Sequence, residues 1–245
     1  MSYSKDFMQH FRDAEADGQI GIRGYLGYFM DIASEQLYGM GLGNDSLPER
    51  CHCAWIYTKY SLKIRRRENF KIPFHAETWI SQQKKARIRQ DMEIGCGDEI
   101  YCTGRVESCL MQLEERKLMP LSAVGITENL AEDRIAQVPD FVRPDTDTAA
   151  MHEIYGYRVR YSDLDKSSHM TNLRYVPMFL DACPPEFYET HEITAAQVHF
   201  LSQAYYGECL KIFMREEAAC RCFASVKEDG SLAAWMRMEY TDDPV

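Results

Sequence analysis

Residues 24–43, GYLGYFMDIASEQLYGMGLG, decide how this chain is read. Leu26, Phe29, Met30, Ala33 and Leu37 recur at helical spacing and form one apolar stripe, and Gly39, Gly41 and Gly43 stop the helix behind them. The period then changes. In residues 54–64, Ile56, Tyr60, Leu62 and Ile64 fall on one face of an extended strand, with Trp55, Tyr57 and Lys59 on the other. Residues 74–81, 86–94 and 99–111 read as three further strands, and Gly95-Cys96-Gly97-Asp98 as a hairpin turn between the last two. One helix followed by a mostly antiparallel sheet is an α+β unit.

The same order returns downstream. After a short strand at 157–161, Tyr175, Val176, Phe179, Leu180 and Cys183 give a second helical stripe, stopped by Pro184-Pro185. Strands are predicted at about 195–204, 208–216, 218–227 and 231–241, with Asp229-Gly230 as a hairpin signal. Tyr25, Phe29, Asp31 and Tyr38 recur as Tyr175, Phe179, Asp181 and Tyr188 at an offset of 150, and Arg105 and Glu107 as Arg237 and Glu239 at 132. Together with the repeated order of elements, these identities predict two copies of one fold. Residues 112–152, with Pro120, Pro139, Pro144 and the polar run 145–148, hold the connection, so the units are placed at 1–125 and 153–245 with a linker over 126–152.

Composition excludes several classes. In 245 residues, 45% apolar and 27% charged types describe a soluble globular protein, long enough to bury a core without disulfides or a structural metal. No apolar run reaches the roughly eighteen residues of a membrane-spanning helix. The start, MSYSKDFMQHFRDAEADGQ, lacks the apolar core of a secretory signal, so a cytoplasmic address is expected. A formal charge of −10 argues against a general nucleic-acid binder. Against that background residues 54–93 hold ten basic and four acidic side chains, which read either as solvated strand faces or as a docking patch for an acidic partner. None of the nine cysteines forms a Cys-x-x-Cys pair. The i, i+2 pairs Cys51/Cys53 and Cys220/Cys222 read as reduced, partly buried thiols, and no metal is expected.

The densest polar cluster is residues 161–175, YSDLDKSSHMTNLRY, between the short strand and the second helix. A helix entry presents unpartnered N–H groups and the positive end of the dipole, which can hold a developing oxyanion. Asp165, Ser167 and His169 set a carboxylate, a hydroxyl and an imidazole there, with Ser168–His169 N–H groups as oxyanion donors. Ordinary capping accounts for Ser and Asp at such a place equally well.

This segment resembles the active-site region of acyl-acyl-carrier-protein thioesterases, double-hotdog enzymes of plants and bacteria whose motif reads approximately Asp-Leu-Asp-x-Asn-x-His-Val-Asn-Asn-x-x-Tyr. The matching positions are Asp163, Leu164, Asp165, Ser167, His169, Asn172 and Tyr175, and Trp79-Ile80-Ser81-Gln82 with Arg89 and Asp91 is similar to a second family stretch. The resemblance implies two tandem hotdog units, each a long helix wrapped by an antiparallel sheet. It also implies hydrolysis of fatty acyl-acyl carrier protein to free fatty acid without a cofactor. Asp165 and His169 are the implied catalytic pair. Ser167 stands where the family has asparagine and Gln203 where it has a glutamate proposed to activate water, and glutamine cannot take up that proton. Asn172, Tyr175, Met30, Trp55 and Tyr57 are the implied substrate-binding residues. The carrier is acidic and bears a phosphopantetheine-linked acyl chain; Arg65, Arg66, Arg67, Lys84, Lys85, Arg87 and Arg89 are the docking candidates. An acyl-coenzyme A thioesterase and a catalytically weak acyl-binding protein are the alternatives, and a homodimer stays open.

Overall fold

The helix read from residues 24–43 runs over Ile22–Gly39 (α1) in the computed structural model, which describes residues 2–69 and 72–242. Tyr25, Leu26, Phe29, Ile32, Ala33 and Leu37 are buried along its stripe. Gly41 takes a φ of +70°, open to a residue without a Cβ, and the Leu42 N–H returns to the Leu37 carbonyl at 2.8 Å. Five strands accompany α1: β1 (Tyr3–Met8), β2 (Cys53–Ile64), β3 (Pro73–Lys84), β4 (Arg87–Cys96) and β5 (Glu99–Gln112). They pair antiparallel in the order β1-β3-β4-β5-β2. A short helix, α2 (Leu47–Cys51), precedes β2.

Strict alternation fails in β2, and the register shows why. Tyr57 pairs with Ser108 and Lys59 with Glu107, so Thr58 is an extra residue that bulges the strand and exchanges its faces. Trp55 and Tyr57 therefore share a face with Tyr60, Leu62 and Ile64, while Ile56 lies with Lys59; the predicted grouping of Ile56 with Tyr60 is corrected. The Tyr57 hydroxyl meets Ser34 Oγ of α1 at 2.8 Å, so this is the helix side of the sheet. Gly104 lies opposite Leu62 on that side, where a Cβ would run into the Phe29 ring. Gly104→Ala is expected to lower unfolding stability by about 1–3 kcal/mol; an unchanged denaturation midpoint would mean that Phe29 swings aside at no cost.

The opposite face carries buried charge. Asp91 accepts from Arg105 Nε (2.7 Å) and Nη2 (2.8 Å), Ser81 Oγ (2.8 Å) and the Ala136 N–H (2.8 Å). Residues 126–138 cover this face. Trp79 Nε1 donates to the Arg134 carbonyl at 2.7 Å, and the Arg134 guanidinium lies 3.7 Å over the Trp79 ring while pairing with Glu77 and Glu93. With Ile126 and Ala136 buried as well, this stretch packs as part of the first unit, and the chain divides into Met1–Val138 and Pro139–Val245.

The second unit repeats the plan with β6 (His152–Arg158), α3 (Asn172–Leu180), α4 (Pro185–Thr190), β7 (Glu192–Phe200), β8 (Cys209–Glu217), β9 (Cys220–Lys227) and β10 (Leu232–Thr241). Its antiparallel order is β7-β10-β9-β8-β6. Phe179 of α3 packs on Phe223 of β9, with ring centroids 5.7 Å apart. Two expectations change. The proline pair does not stop α3, which ends at Leu180; it opens α4, where Pro185 occupies a first turn that needs no N–H donor. The strand expected at 157–161 begins at His152 and ends at Arg158, leaving Tyr161 in a 3₁₀ turn over Tyr161–Asp163.

β1 has no counterpart among the predicted strands. Phe7 holds it, stacked on Phe74 (5.4 Å) and edge-on to Tyr28 of α1 (5.2 Å), while Tyr3 and Lys5 both reach Glu35. Among the described residues no helix is long and apolar enough to cross a membrane.

Candidate active site

Asp163 anchors the loop that joins β6 to α3. It is fully buried. Oδ2 accepts from the Tyr157 hydroxyl (2.7 Å) and the Arg160 N–H (2.8 Å), and Oδ1 from Arg174 Nε (2.9 Å) and Nη2 (2.8 Å). Burial works to raise its pKa, but the Arg160 N–H, the Tyr157 hydroxyl and the Arg174 guanidinium prevail and hold the carboxyl below the usual carboxylate range. Its own carbonyl accepts the Thr171 N–H at 2.9 Å, closing the loop onto the start of α3.

Asp165 is exposed on that loop. Its Oδ1 accepts the Ser167 N–H at 2.7 Å and, at 3.5 Å, the His169 N–H. The Ser168 N–H returns to the Asp165 carbonyl at 3.0 Å, and the Asp165 N–H reaches the His169 carbonyl at 2.8 Å. This corrects the expectation that the Ser168 and His169 N–H groups stand ready as oxyanion donors: both already donate to Asp165. Ser168 takes a φ of +61°, a left-handed conformation that costs a residue with a Cβ about 1–2 kcal/mol. Among the described residues no hydrogen bond or ion pair joins the Asp165 and His169 side chains; the two residues are linked through the His169 main chain, and Ser167, between them in sequence, is exposed.

The loop after β7 supplies the other wall. His169 and Tyr205 form an isolated antiparallel bridge, and their rings meet edge-to-face at 5.0 Å. The Met170 N–H donates to the Ala204 carbonyl at 2.8 Å. Gln203, the position at which the expected base is lost, is exposed and accepts from the Tyr205 hydroxyl at 3.2 Å. Lys227 donates to the Gln203 carbonyl at 2.8 Å and pairs with Glu208 at 3.2 Å. Tyr205 and Lys227 are the neighbours that reading the sequence missed: both come from β7–β9, outside the segment that draws attention.

The substrate-binding expectations separate. Asn172 is half-buried at the first position of α3. Tyr175 is buried against Phe200, and burial, followed by the nearby Glu208, pushes its phenol pKa up. In the first unit Trp55 is a core residue whose Nε1 donates to the Leu42 carbonyl at 2.9 Å, whereas Met30 and Tyr57 stay half-buried on the helix side. The docking candidates do not form one field of open charge. Arg87 and Arg89 pair with Glu107, Arg66 with Glu68 and Glu99, and Arg67 with Asp17, while Arg65 donates to Gln137. Lys84 and Lys85 are exposed at the β3–β4 turn.

The first unit contains the same loop. Residues 10–25 repeat the turn, bridge and helix start of 160–175 at the offset of 150. The Glu15 N–H reaches the Gln19 carbonyl at 2.8 Å and the Gly18 N–H the Glu15 carbonyl at 3.0 Å, matching the bonds around Asp165, with Gly18 at φ +82° where Ser168 stands. Asp13 plays the part of Asp163, taking the His10 N–H at 3.1 Å and the Tyr28 hydroxyl. Glu15 and Gln19 occupy the places of Asp165 and His169. The Glu15 side chain, however, folds over Gly21, and burial raises its pKa against the pull of Arg23 and Arg67.

Comparison with known proteins bears on both halves. Residues 1–124 match the family model of the acyl-ACP thioesterase N-terminal domain, and residues 146–241 that of the C-terminal domain. The chain is 22% identical over 234 residues to a chloroplastic palmitoyl-acyl carrier protein thioesterase of Gossypium hirsutum, covering 84% of this chain and 52% of that protein. It is 21% identical over 209 residues to the chloroplastic oleoyl-acyl carrier protein thioesterase 1 of Arabidopsis thaliana, covering 79% and 58%. The chain thus spans about half the length of the curated relatives it matches. Its fold is that of an acyl-ACP thioesterase from Bacteroides thetaiotaomicron (TM-score 0.89, 16% identity, 98% of each chain) and of the 12:0-ACP thioesterase from Umbellularia californica (TM-score 0.79, 17% identity, 99% of this chain and 98% of that one). The architecture is two tandem hotdog units, with the second helix half as long as the first.

Proposed function

The chain belongs to the acyl-ACP thioesterase family, and from that premise we propose that it hydrolyses the thioester of a fatty acyl-acyl carrier protein, releasing free fatty acid. The observation that carries the reading is the exposed Asp165 carboxylate, held by main-chain N–H groups beside His169 on the loop that enters α3. In the proposed reaction water forms the new bond to the carbonyl carbon, the carbon–sulfur bond breaks, and the departing thiolate takes up a proton. An ionised carboxylate can draw the proton from the attacking water, or itself attack and be released by water afterwards. His169 orients the attacking group or protonates the leaving sulfur, a role suited to an imidazole. Gln203 and Ser167 position water or substrate without exchanging protons.

The second unit carries the chemistry in this reading and the first takes the acyl chain, with Met30 and Tyr57 on the helix side. Carrier docking rests on Lys84 and Lys85 more than on the arginines, whose charge is largely matched within the first unit. The weak acyl-binding alternative draws support from Gln203 and Ser167.

Thiol release from a panel of acyl-carrier-protein and acyl-coenzyme A substrates tests the proposal. Multiple turnover that is faster on the carrier-bound substrates is expected. Tight binding without turnover would overturn it in favour of the binding protein, and faster turnover on coenzyme A would reassign the substrate.

A further inference from the structure

Beside the candidate site lies an open recess of about 470 Å³, lined by Arg158, Val159, Arg160, Tyr161 and Tyr206. It shares its wall with that site. The Val159 N–H donates to the Glu208 carbonyl at 2.9 Å and the Gly207 N–H to the Val159 carbonyl at 3.0 Å, so the end of β6 is fixed to the loop that carries Gln203 and Tyr205.

Its charge is unusual for this chain. Arg158 and Arg160 are exposed, and among the described residues neither guanidinium has a carboxylate partner. Two carboxylates of the segments that flank the recess are engaged elsewhere: Asp163 is buried under Arg174, and Glu208 faces Lys227 and the Tyr205 N–H. In a protein of net charge −10, two unmatched guanidinium groups around one concavity form a local anion site, and the planar fork of arginine suits phosphate oxygens. Tyr161 is 84% exposed and Tyr206 69%. Aromatic rings so exposed in a concave place offer an amphipathic wall for a partly apolar arm.

We propose that this recess binds the phosphate at the head of a pantetheine arm, with Arg158 and Arg160 on the phosphate and Tyr161 and Tyr206 along the arm. The assignment rests on the thioesterase reading for its choice of ligand. It adds a phosphate subsite in the second unit, apart from the predicted basic stretch. Carrier-bound and coenzyme A thioesters share this phosphate, so the subsite recognises the arm that both present.

Two measurements on the full chain test it. In the first, binding of 4′-phosphopantetheine and of pantetheine is followed by calorimetry, which needs no turnover. The phosphorylated compound is expected to bind at least roughly tenfold more tightly, and Arg158→Gln/Arg160→Gln to abolish that preference. Equal binding of the two compounds would overturn the subsite. In the second, kcat/KM is compared for acyl-carrier-protein, acyl-coenzyme A and acyl-pantetheine bearing the same acyl group. The double variant is expected to lower both phosphate-bearing substrates roughly tenfold or more relative to acyl-pantetheine. A fall confined to the carrier substrate would make the arginines contacts to the carrier protein's own surface, and an equal fall on all three would make them structural; either overturns the proposal. Selective phosphopantetheine binding by a chain that hydrolyses none of the three would retain the subsite and defeat the thioesterase reading.

Discussion

An Asp165→Asn variant is expected to release thiol roughly 10²–10⁴ times more slowly than the wild type, the range over which a positioned general base contributes. The substitution isolates charge from shape. Oδ1 of Asp165 holds the loop by accepting the Ser167 N–H at 2.7 Å, and the asparagine carbonyl oxygen can take the same bond. The thermal midpoint should therefore stay close to that of the wild type while the rate falls. Full turnover in Asp165→Asn would remove this carboxylate from the reaction. A rate that falls only in step with a lowered midpoint would reduce it to a loop residue.

Asp163→Ala is expected to act in the opposite sense, on stability first. It strips the acceptor from the Tyr157 hydroxyl, the Arg160 N–H and the Arg174 guanidinium at once. Arg174 is 44% exposed and can turn to water, so the cost should lie at about 2–4 kcal/mol, below that of breaking a fully enclosed pair. The effect carries a pH signature. The folded-state pKa of Asp163 is depressed, so its contribution is fully present above the unfolded value of about 3.9 and is lost as pH falls through the lower folded value. Denaturant midpoints of wild type and Asp163→Ala should therefore differ most above about pH 5 and converge in acid. A difference that stays constant down to the acid limit would show that the ionised form is not what stabilises the loop.

What could be read from the chain depended on how local the cause was. The stripe of α1 and the presence of β3, β4 and β5 as strands with a turn at 95–98 are set by neighbouring residues and were legible. Thr58 was not: a bulge is defined by its partner strand, and nothing in residues 54–64 reveals that Ser108 and Glu107 face positions two apart. β1 was missed because YSKDFM has no branched aliphatic residue, and its hold on Phe74 and Tyr28 comes from distant parts of the chain. The loop at 161–175 stood out because its polar side chains are contiguous. The ring of Tyr205 against His169 depends on pairing across some 35 residues and left no local mark. The basic stretch shows the same division: its surplus of positive charge is read locally, whereas Glu107, Glu99 and Asp17, which pair with its arginines, come from outside it.

The matching loops at 10–25 and 160–175 separate what shapes a turn from what the turn displays. Their shape is kept by main-chain bonds and by one aspartate each, Asp163 enclosed and Asp13 partly exposed, none of which depends on what the turn displays. On matching frames the two acids are placed differently: Glu15 is tucked inward over Gly21, whereas Asp165 is held out to solvent. What such a turn presents to solvent is thus separable from the scaffold beneath it, because the bonds that shape it run through the main chain.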